Sequence, residues 1–355
     1  MRSLTEILTE RISRGGPITV ADYMAEALFH PRFGYYTTRE PFGSAGDFTT
    51  APEISQMFGE LIGLWCAVTW AAMGRPARVV LAELGPGRGT LMSDLLRAAG
   101  TVPEFLAALD VWLVEASPRL AARQADTLKG RDVHWAERFE ELPAGPLLLV
   151  ANELFDALPV RQFEKRDGAW VERMVGVTEH GFEFVPGPDA EPDLPAHVLA
   201  APDGAIAETC PAGQALAAAL GARLAESGGA ALIVDYGHAR SAAGDTLQAV
   251  RRHRFHPVLE MPGLADLTAH VDFEALAAAA RPARAWGPVP QGAFLAALGI
   301  ETRAALLAQA GGPKVAADLA GQMRRLIDPG EMGTLFKALA LTHPALPAPP
   351  GFLNP

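Results

Sequence analysis

Short apolar runs alternate with longer segments of helical spacing from residue 78 onward. The four clearest runs cover residues 79–84, 111–114, 147–151 and 231–234. Each run is too short for a helix and is followed by a polar residue or a glycine. Strands that alternate with helices indicate a parallel sheet with helices on both faces. Ligands of such sheets bind at the carboxyl ends of the strands, so the residues directly after each run are candidates for a functional site.

The first 75 residues predict helices with one long interruption. Apolar residues on one face predict a helix over 4–13 that ends at Gly15-Gly16-Pro17, and further helices are predicted over 20–29 and 54–72. The interruption, residues 34–52, is rich in glycine, hydroxyl and aromatic side chains. A loop of this length is typically functional or disordered, and its aromatic side chains favour a functional loop.

Residues 160–185 break the alternation. Two runs with β patterns, 160–165 and 169–177, flank Asp167-Gly168, a dipeptide typical of two-residue hairpin turns. Residues 182–185 predict a further strand, and 187–202 predict a Pro-rich linker. The remaining patterns predict helices over 215–225, 273–280 and 294–310 and a last strand over 333–341.

Charge and cysteine content narrow the classes of function. The 355 residues carry 30 Lys and Arg against 41 Asp and Glu, which gives a formal net charge of −11. This balance argues against binding to a phosphate backbone and favours a neutral or cationic partner. Cys66 and Cys210 are far apart and belong to no Cys/His cluster, so we expect neither a disulfide scaffold nor a metal site.

The apolar segments also bear on location. No apolar run approaches the ~18 residues of a membrane span. Glu6 and Glu10 interrupt the apolar centre that a signal peptide would need. We therefore expect a soluble protein of a reducing compartment, without membrane insertion. The expected location is the cytoplasm, or the mitochondrial matrix if the source is eukaryotic.

A glycine-rich segment follows the first apolar run. Glu83 precedes Gly85, Gly87 and Gly89, which form a G-x-G-x-G pattern. Glycines at alternate positions allow a sharp turn and the close approach of a bulky cofactor. A dinucleotide fingerprint would read G-x-G-x-x-G, whereas an acid two residues before the first glycine suits a cofactor with an ammonium group and no pyrophosphate. The alternative is a glycine turn without a ligand.

Acidic residues follow the next two predicted strands. Glu115, with Ala116 beside it, ends the second run, where a carboxylate can accept both hydroxyl groups of a ribose. Glu137 follows the short run 133–135 and is a candidate partner for an adenine amino group. For Glu137 the alternative is a solvated loop acid. Together with the glycine segment, these residues predict one cofactor cleft.

The run 147–151 is followed by Asn152, Glu153 and Asp156. If a helical turn begins in this loop, the two carboxylates lie on one side of it, where they can bind a cationic substrate or accept a proton. For Asp156 the alternative is an acid at a helix N-terminus. Asp235 follows the run 231–234, and the alternative to a role at the same rim is a core-edge Asp that backbone amides satisfy.

Two segments of the last third carry further polar residues. Residues 251–256, with the sequence Arg-Arg-His-Arg-Phe-His, are the one basic cluster of the chain, and a cluster of this kind is typically a solvated face. Asp272 is expected to cap the helix that follows it. His270 is expected to be a hydrogen-bonded structural histidine rather than a base.

Taken together, these residues resemble the class I S-adenosylmethionine-dependent methyltransferases, and more closely the MidA family, over nearly the whole chain. The mitochondrial members of that family are protein-arginine methyltransferases needed for the assembly of respiratory complex I. The resemblance rests on residues 34–36, 46–55, 58–60, 83–89, 152–159, 235–237, 268–273 and 332–337. The segments around Gly46-Asp47-Phe48 and Asn152-Glu153 are the most specific to the family.

The resemblance implies an α/β fold. We expect a class I methyltransferase Rossmann-like sheet with helices on both faces, an N-terminal helical lid region and an inserted β-hairpin and helical subdomain. The N-terminal helical and lid segment would cover 1–75 and the cofactor-binding half of the methyltransferase domain 76–160. A hairpin insertion and linker would cover 161–205, the remainder of the domain with helical insertions 206–345, and a tail 346–355.

The resemblance also implies S-adenosyl-L-methionine as the cofactor. Gly85, Gly87 and Gly89 would pass its methionine portion, and Glu115 would hold its ribose. The segment 46–50, which includes Gly46 and Thr49, would close over the site and exclude water. The remaining expected cofactor contacts are Glu83, Ala116, Glu137 and Asn152.

The implied reaction is methyl transfer to an arginine of a protein substrate. Glu153, helped by Asp156 or Asp47, would orient the acceptor nitrogen and take its proton. No nucleic-acid partner is expected, and the oligomeric state stays open, with a homodimer as one alternative. A small-molecule methyltransferase and a non-catalytic assembly factor are the alternative functions. An NAD-dependent dehydrogenase is disfavoured because none of the four tyrosines begins a Tyr-x-x-x-Lys pair.

Overall fold

The computed structural model describes residues 2–39 and 49–352. The strands in chain order are β1 (Ile18–Thr19), β2 (Val79–Leu84), β3 (Leu109–Val114), β4 (His134–Ala136), β5 (Leu147–Asn152), β6 (Arg161–Arg166), β7 (Ala169–Thr178), β8 (Gly181–Ala190), β9 (Ile206–Thr209), β10 (Gly229–His238), β11 (Gln248–Arg251), β12 (Arg254–His256), β13 (Asp266–Thr268), β14 (Val271–Asp272), β15 (Arg284–Pro290) and β16 (Phe336–Thr342).

The helices in chain order are α1 (Leu4–Gly15), α2 (Val20–Phe29), α3 (Tyr35–Thr38), α4 (Ala51–Ile54), α5 (Gln56–Ala72), α6 (Thr90–Ala99), α7 (Pro103–Ala108), α8 (Pro118–Thr127), α9 (Ala196–Leu199), α10 (Pro211–Ser227), α11 (Phe273–Ala279), α12 (Gln291–Ala297), α13 (Ile300–Ile327) and α14 (Met332–Leu335). Short 3₁₀ turns cover Phe139–Glu141 and Phe155–Ala157. Helix α13 is kinked at Gly312, which has a φ of +79° and precedes a proline.

The chain divides into two compact units, each made of three segments. The first unit comprises Met1–Phe48, Asp156–Ala215 and Arg240–Ala275. The second unit comprises Thr49–Phe155, Leu216–Ala239 and Leu276–Pro355. The domain boundaries expected from the sequence stay a prediction.

The second unit is built around a sheet with the strand order β15-β16-β10-β5-β2-β3-β4. The five strands from β10 to β4 in this order run parallel. Strand β16 is antiparallel to β10, and β15 is antiparallel to β16. Every residue of β2 and β5 is buried, which explains why these runs are continuously apolar instead of alternating. The predicted α/β fold is confirmed.

Helices α5 and α6 pack closely in the core of the second unit. A Cβ atom at Gly63 of α5 would lie 2.7 Å from the carbonyl oxygen of Leu95 in α6. The helix backbones therefore approach more closely than a side chain at that position would allow. Phe58, Trp65 and Phe105 are fully or almost fully buried in the same core. Each such side chain contributes about 1.5–3 kcal/mol by its removal from water.

The first unit contains two smaller antiparallel sheets. One has the order β1-β7-β6-β9, with β8 also paired to β7, and the other has the order β12-β11-β13. Its core includes Leu8 of α1, Tyr23, Met24 and Leu28 of α2, and Tyr35 of α3. The predicted hairpin is confirmed: β6 and β7 pair across Asp167-Gly168, whose φ angles are +49° and +79°.

Several predicted element boundaries need correction. The Pro-rich linker over 187–202 is wrong, because β8 continues to Ala190 and α9 forms over 196–199. Edge pairing to β7 supplies hydrogen bonds that the local composition does not reveal. The last strand begins at Phe336 and not at 333, since residues 332–335 form the helical turn α14. The predicted helix 20–29 is confirmed at both ends.

The predicted helix over 294–310 is two helices. Helix α12 ends at Ala297 and α13 begins at Ile300, because Gly299 has a φ of +89° and caps the second helix from the left-handed region. Among the described residues no single helix has the length and apolarity to cross a membrane. One bent pair, Gln291–Ala297 with Ile300–Leu335 at 65°, meets that criterion by length and composition when taken together.

Candidate cofactor and catalytic site

The glycine segment follows directly on β2. Gly85, Gly87 and Gly89 have φ angles of +61°, +54° and +78°. This left-handed region is accessible to glycine at no steric cost and is strained for other residues. At Gly85 a Cβ atom would also lie 2.8 Å from the Cδ1 atom of Leu154. Three positions after β2 therefore carry no side chain, and α6 begins directly after Gly89, at Thr90.

Glu83 lies at the buried end of β2 and is 3% exposed. The Met92 backbone N–H donates a hydrogen bond to its carboxyl group, which lowers its pKa, but burial dominates and raises the pKa to about 8. Its Oε2 atom is buried and has no hydrogen-bond partner within residues 2–39 and 49–352. A buried carboxyl group with an unused acceptor is suited to a cationic ligand group, which would favour its ionised form.

Gln124 of α8 connects the glycine segment to Glu115. Its fully buried side chain donates from Nε2 to the Gly87 carbonyl oxygen at 2.9 Å and to the Glu115 Oε2 atom at 3.0 Å. Its Oε1 atom accepts a hydrogen bond from Trp135 Nε1 at 3.0 Å. The sequence reasoning missed this residue. The available signal was a glutamine on the apolar face of α8, whose other buried residue is Leu120.

Glu115 follows β3, as expected, and its orientation is determined by neighbouring donors. Its Oε1 atom accepts a hydrogen bond from the Ser117 backbone N–H at 2.7 Å. Burial raises the pKa of Glu115, and the hydrogen bonds from Ser117 and Gln124 oppose that shift. The backbone N–H of Glu115 donates to the carbonyl oxygen of Ala136 at 2.9 Å, so β3 and β4 end together.

Two other predicted contacts lie at this edge of the sheet. Ala116 is exposed directly after Glu115. Glu137 is exposed at the end of β4, and its backbone N–H donates to Glu141 Oε2 at 2.9 Å. The structure thus brings the carboxylates of Glu115 and Glu137 to the ends of adjacent paired strands. Their contacts with a cofactor stay a prediction.

Glu153 follows β5 in a strained backbone conformation, with a φ of +52°. Its backbone N–H donates to the Val234 carbonyl oxygen at 2.9 Å. Its Oε1 atom accepts hydrogen bonds from the Ala51 backbone N–H at 3.0 Å and from Asn152 Nδ2 at 3.1 Å. A non-glycine residue in this region costs of order 1–3 kcal/mol and is often found at functional sites.

Asn152 is the last residue of β5 and is buried. Its Nδ2 atom donates to Glu153, whereas its buried Oδ1 atom has no hydrogen-bond partner in the described part of the chain. An unused acceptor at a strand end is a second feature suited to a ligand with donor groups.

Glu53 of α4 joins the segment around Ala51 to the glycine segment. Its Oε1 atom accepts a hydrogen bond from Thr90 Oγ1 at 2.6 Å, and its Oε2 atom lies 3.4 Å from Arg88 Nη1. Because Ala51 of the same helix binds Glu153, α4 contacts both strand ends. The sequence reasoning gave Glu53 no role, although it lies in a segment that carried the family resemblance.

Asp235 is a core-edge residue whose carboxylate is satisfied by backbone amides, which is the alternative that the sequence left open. The fully buried side chain accepts hydrogen bonds from the Phe155 backbone N–H through Oδ2 and from the Tyr236 backbone N–H through Oδ1, both at 2.9 Å. These bonds hold the segment after Glu153 against the end of β10. Asp235 is thus a positioning residue for the end of β5.

The expected shared helical face of Glu153 and Asp156 is wrong. The 3₁₀ turn begins only at Phe155, and the positive φ of Glu153 excludes it from any helical turn. Asp156 belongs to the first unit, where its backbone carbonyl accepts the Ala269 N–H at 2.9 Å. Burial, and then the charges of Asp266 and Asp156, raise the pKa of Tyr36 in that unit.

The remaining predicted positions can be placed as follows. Thr49 is half-buried, one residue before the N-cap of α4. Gly46 and Asp47 lie outside the described residues. Asp272 caps α11 through a hydrogen bond from the Ala275 N–H at 3.0 Å, and the His270 backbone N–H donates to Thr246 Oγ1 at 2.8 Å. Within 2–39 and 49–352 no group of three His, Cys, Asp or Glu side chains is arranged to hold a metal ion.

Comparisons with known proteins find methyltransferases that are similar to this chain over most of its length. A family profile of S-adenosyl-L-methionine-dependent methyltransferases matches residues 61–289. The chain is 37% identical to "Protein arginine methyltransferase NDUFAF7, mitochondrial" of Danio rerio, over 97% of this chain and 88% of that protein. It is 38% identical to the Homo sapiens protein of the same name, over 94% of this chain and 82% of that protein.

A solved structure is similar over almost the whole length. It is a protein from Burkholderia thailandensis crystallised with bound S-adenosyl-homocysteine, with a TM-score of 0.87 and 32% sequence identity. The similarity covers 98% of this chain and 93% of that chain. A native crystal structure of a protein from the same organism gives a TM-score of 0.85 at 33% identity, over 99% of this chain and 94% of that chain.

The local geometry agrees with the cofactor of this family. Gly85 adopts a positive φ and packs against Leu154, where any other residue is strained, and the unused acceptors of Glu83 and Asn152 suit a ligand with ammonium and hydroxyl donors. The cofactor is S-adenosyl-L-methionine. The chain therefore belongs to this family of S-adenosyl-L-methionine-dependent methyltransferases.

Proposed function

We propose that this chain transfers the methyl group of S-adenosyl-L-methionine to an arginine side chain of a protein substrate. The observation that carries the proposal is the conformation of Glu153 directly after β5: its backbone has a φ of +52°, and its carboxylate accepts hydrogen bonds from Ala51 and Asn152. It lies in a chain that is 36–39% identical, over nearly its whole length, to proteins named protein arginine methyltransferases. In a eukaryotic source the mitochondrial matrix, and otherwise the cytoplasm, is the proposed location.

The residues after β2, β3 and β4 hold the cofactor in this proposal. Glu115 accepts the ribose hydroxyl groups, because Ser117 and Gln124 keep its carboxylate oriented. Glu83 faces the ammonium group, which offsets the cost of ionising a buried acid. The further contacts are those with Gly85, Gly87, Gly89, Ala116, Glu137, Asn152, Gly46 and Thr49. When bound, the cofactor supplies an electrophilic methyl group on a sulfonium.

The residues after β5 act on the acceptor. An arginine guanidinium titrates above about 12, so the acceptor nitrogen must lose a proton as transfer proceeds. Transfer forms a nitrogen–carbon bond, breaks the sulfur–carbon bond and leaves this proton for the Glu153 carboxylate. Bonds from Ala51 and Asn152 hold Glu153 Oε1 in position. Asp156 and Asp47 are the proposed additional acids.

Transfer of labelled methyl groups tests this function directly. The purified chain is incubated with methyl-labelled S-adenosyl-L-methionine and a protein extract, and acid hydrolysates are analysed by mass spectrometry. We expect label in methylarginine of one or a few proteins. Label in small molecules would support the alternative of a small-molecule methyltransferase. Tight cofactor binding with no transfer to any fraction would support a non-catalytic assembly factor.

The variant Glu153→Gln separates chemistry from cofactor binding. We expect the transfer rate to fall about 100-fold, the scale of a positioned acid or base, while cofactor affinity stays nearly constant. The control is Glu104→Gln, since the Glu104 side chain is 73% exposed on the surface of the same unit. Equal loss of transfer and cofactor affinity would instead make Glu153 a cofactor ligand. Wild-type transfer to a verified arginine would exclude the proposed proton acceptor.

A further inference from the structure

The hairpin of β11 and β12 carries a basic and apolar surface that the proposed chemistry does not use. Arg251 pairs with Arg254 across the hairpin, which leaves the two-residue loop Arg252-His253. Phe255, the next residue of β12, is 82% exposed, the most exposed large apolar side chain among the described residues. Residues 251–255 form the hairpin tip.

The loop of the hairpin tip is formed by unfavourable residues. Arg252 and His253 have φ angles of +52° and +59°. Two-residue hairpin loops with positive φ at both positions favour Asn-Gly or Asp-Gly, because other side chains are strained there. The β6–β7 hairpin of the same unit has Asp167-Gly168 in this place. Strained residues persist where they serve a function, so the contrast points to a role for the side chains at the tip.

The charge of the hairpin tip is opposite to that of the whole chain. Three arginines lie within four residues, whereas the chain carries a formal net charge of −11. The nearest preceding acid, Asp245, is already paired with Arg173 at 2.8 Å. The nearest following acid is the exposed Glu260. Arginine and aromatic side chains together are typical of the energetically dominant residues of protein interfaces.

Other classes of macromolecule fit this surface less well. Nucleic-acid binding relies on an extended basic face that neutralises many phosphates, and the tip offers three arginines on an acidic protein. Stable attachment to a membrane takes more than one anchoring signal, and the tip exposes a single large apolar side chain. An acidic protein segment needs only a few complementary charges and one apolar contact.

The hairpin tip is connected to Asp156 through backbone pairing within the first unit. Strand β11 pairs with β13, with Val250 opposite Asp266 and Gln248 opposite Thr268. Directly after β13, the Ala269 N–H donates to the Asp156 carbonyl oxygen at 2.9 Å. The hairpin and Asp156 are therefore connected through the backbone of β13.

We propose that the hairpin tip docks an acidic segment of the protein substrate, with an apolar side chain of that segment on Phe255. The inference rests on the proposed function, because it takes the docked partner to be the methyl acceptor. It assigns the selection of the substrate to a surface that is separate from the residues that hold the cofactor. Protein acceptors that contain a segment with Asp, Glu and a large apolar residue are then preferred.

A four-residue variant removes four of the five side chains of the hairpin tip and preserves the turn. Arg252→Asn and His253→Gly introduce the residues that this loop geometry favours, and Arg254→Thr and Phe255→Thr keep good strand formers in β12. The matched control removes two arginines and one exposed apolar side chain elsewhere. It combines Arg324→Gln, Arg325→Gln and Val68→Thr. The Arg324 side chain is 71% exposed, Arg325 is exposed, and Val68 is 52% exposed.

Binding of model ligands to the full chain tests the docking surface without methyl transfer. The probes are a labelled 12-residue peptide of Asp, Glu and Leu, the same peptide with Lys in place of the acids, vesicles with anionic phosphatidylglycerol, and a single-stranded oligonucleotide. We expect the acidic peptide to bind wild type and control alike and the hairpin variant at least about tenfold more weakly, with loss at high salt. Equal binding of the acidic peptide to wild type and hairpin variant would overturn the proposal. So would a result in which only the vesicles or the oligonucleotide bind the hairpin variant more weakly than wild type.

A kinetic measurement links docking to methyl transfer. The acceptor is the acidic peptide extended by one arginine, compared with an arginine peptide that lacks acids. We expect the hairpin variant to raise KM for the acidic acceptor about tenfold with kcat unchanged, and to leave the acid-free acceptor unaffected. A fall in kcat with unchanged KM would contradict docking. If wild type methylates no arginine peptide while acidic-peptide binding still depends on the tip, the proposed function fails and the docking surface is supported.

Discussion

The ends of β2 and β5 lie side by side in one sheet, but the residues that follow them differ in kind. Both strands are fully buried, and they pair in parallel from Val80 and Leu147 onward. After β2 the backbone is left bare by three glycines with positive φ. After β5 a glutamate adopts a positive φ, and its side chain is held by Ala51 and Asn152.

The difference indicates that the two strand ends have different roles at this edge of the sheet. The glycine end has a left-handed backbone that other residues adopt only with strain, and Gln124 keeps its shape by binding both Gly87 and Glu115. The glutamate end positions a functional group, and Asp235 keeps its shape by binding the next backbone N–H groups. If these roles are right, changes at the two ends affect different measurements.

The largest effect is expected for Gly87→Val at the glycine end. A branched side chain at a φ of +54° is strained, and in the proposed site it would meet the methionine portion of the cofactor. We expect cofactor affinity in calorimetric titration to fall at least about 100-fold, or about 2.7 kcal/mol. Gly321→Ala in α13 is the control, because a Cβ there meets nothing within 4 Å. Undiminished binding with an intact circular dichroism spectrum would remove the glycine segment from the site.

Asp235→Asn tests the other end of the comparison. The asparagine retains one acceptor oxygen and places an amide donor against a backbone N–H, so one buried bond is lost. We expect the free energy of unfolding to fall by about 2–3 kcal/mol in urea titrations. Methyl transfer should fall more than cofactor affinity. A larger fall in cofactor affinity than in methyl transfer would contradict the assignment of Asp235 to the glutamate end.

A smaller effect on affinity is expected for Glu115→Gln. The substitution keeps the size of the side chain and removes charge-assisted hydrogen bonds worth about 1.5–3 kcal/mol. Cofactor affinity should fall about tenfold or more, since about 1.4 kcal/mol corresponds to tenfold. Glu179→Gln on an 87% exposed side chain serves as the control. A change below about twofold would mean that Glu115 only ends a strand.

The smallest effect concerns the pH dependence of Glu83. Its folded pKa of about 8 lies above its ordinary value of 4.5, so the folded chain keeps a proton that the unfolded chain releases. Stability from this group is complete below pH 4.5 and is lost as the pH rises toward 8. We expect the free energy of unfolding to fall more steeply with pH for wild type than for Glu83→Gln. Parallel curves, measured without cofactor, would contradict the buried neutral acid.

The sequence predicted the glycine end much better than the glutamate end. Glycines at alternate positions after an apolar run are a local signal, and each has the positive φ that explains it. The carboxylate of Glu153 was found by its position after β5, but its neighbours were not. Its contacts with Ala51 and the packing of Asp235 on Phe155 span 102 and 80 residues, and no periodicity relates such distant positions.

The hairpin tip shows the same limit in the first unit. The composition of Asp167-Gly168 predicted one hairpin loop. Arg252-His253 forms the loop of the second hairpin without any favoured turn residue. Strand β12 pairs with β11 across that second turn and exposes Phe255 where the sequence indicated only a solvated basic face.

The amino-acid sequence by itself determined the α/β fold, the buried parallel strands, the glycine segment and the acids at the strand ends. These features depend on hydrophobic periodicity and on local backbone freedom, which are properties of neighbouring residues. Only the tertiary structure decided that Gln124 joins the glycine segment to Glu115, that Glu53 joins it to α4, and that Asp235 is structural. A buried polar group must find its partner wherever the packed chain brings one, and that partner is set by the fold as a whole.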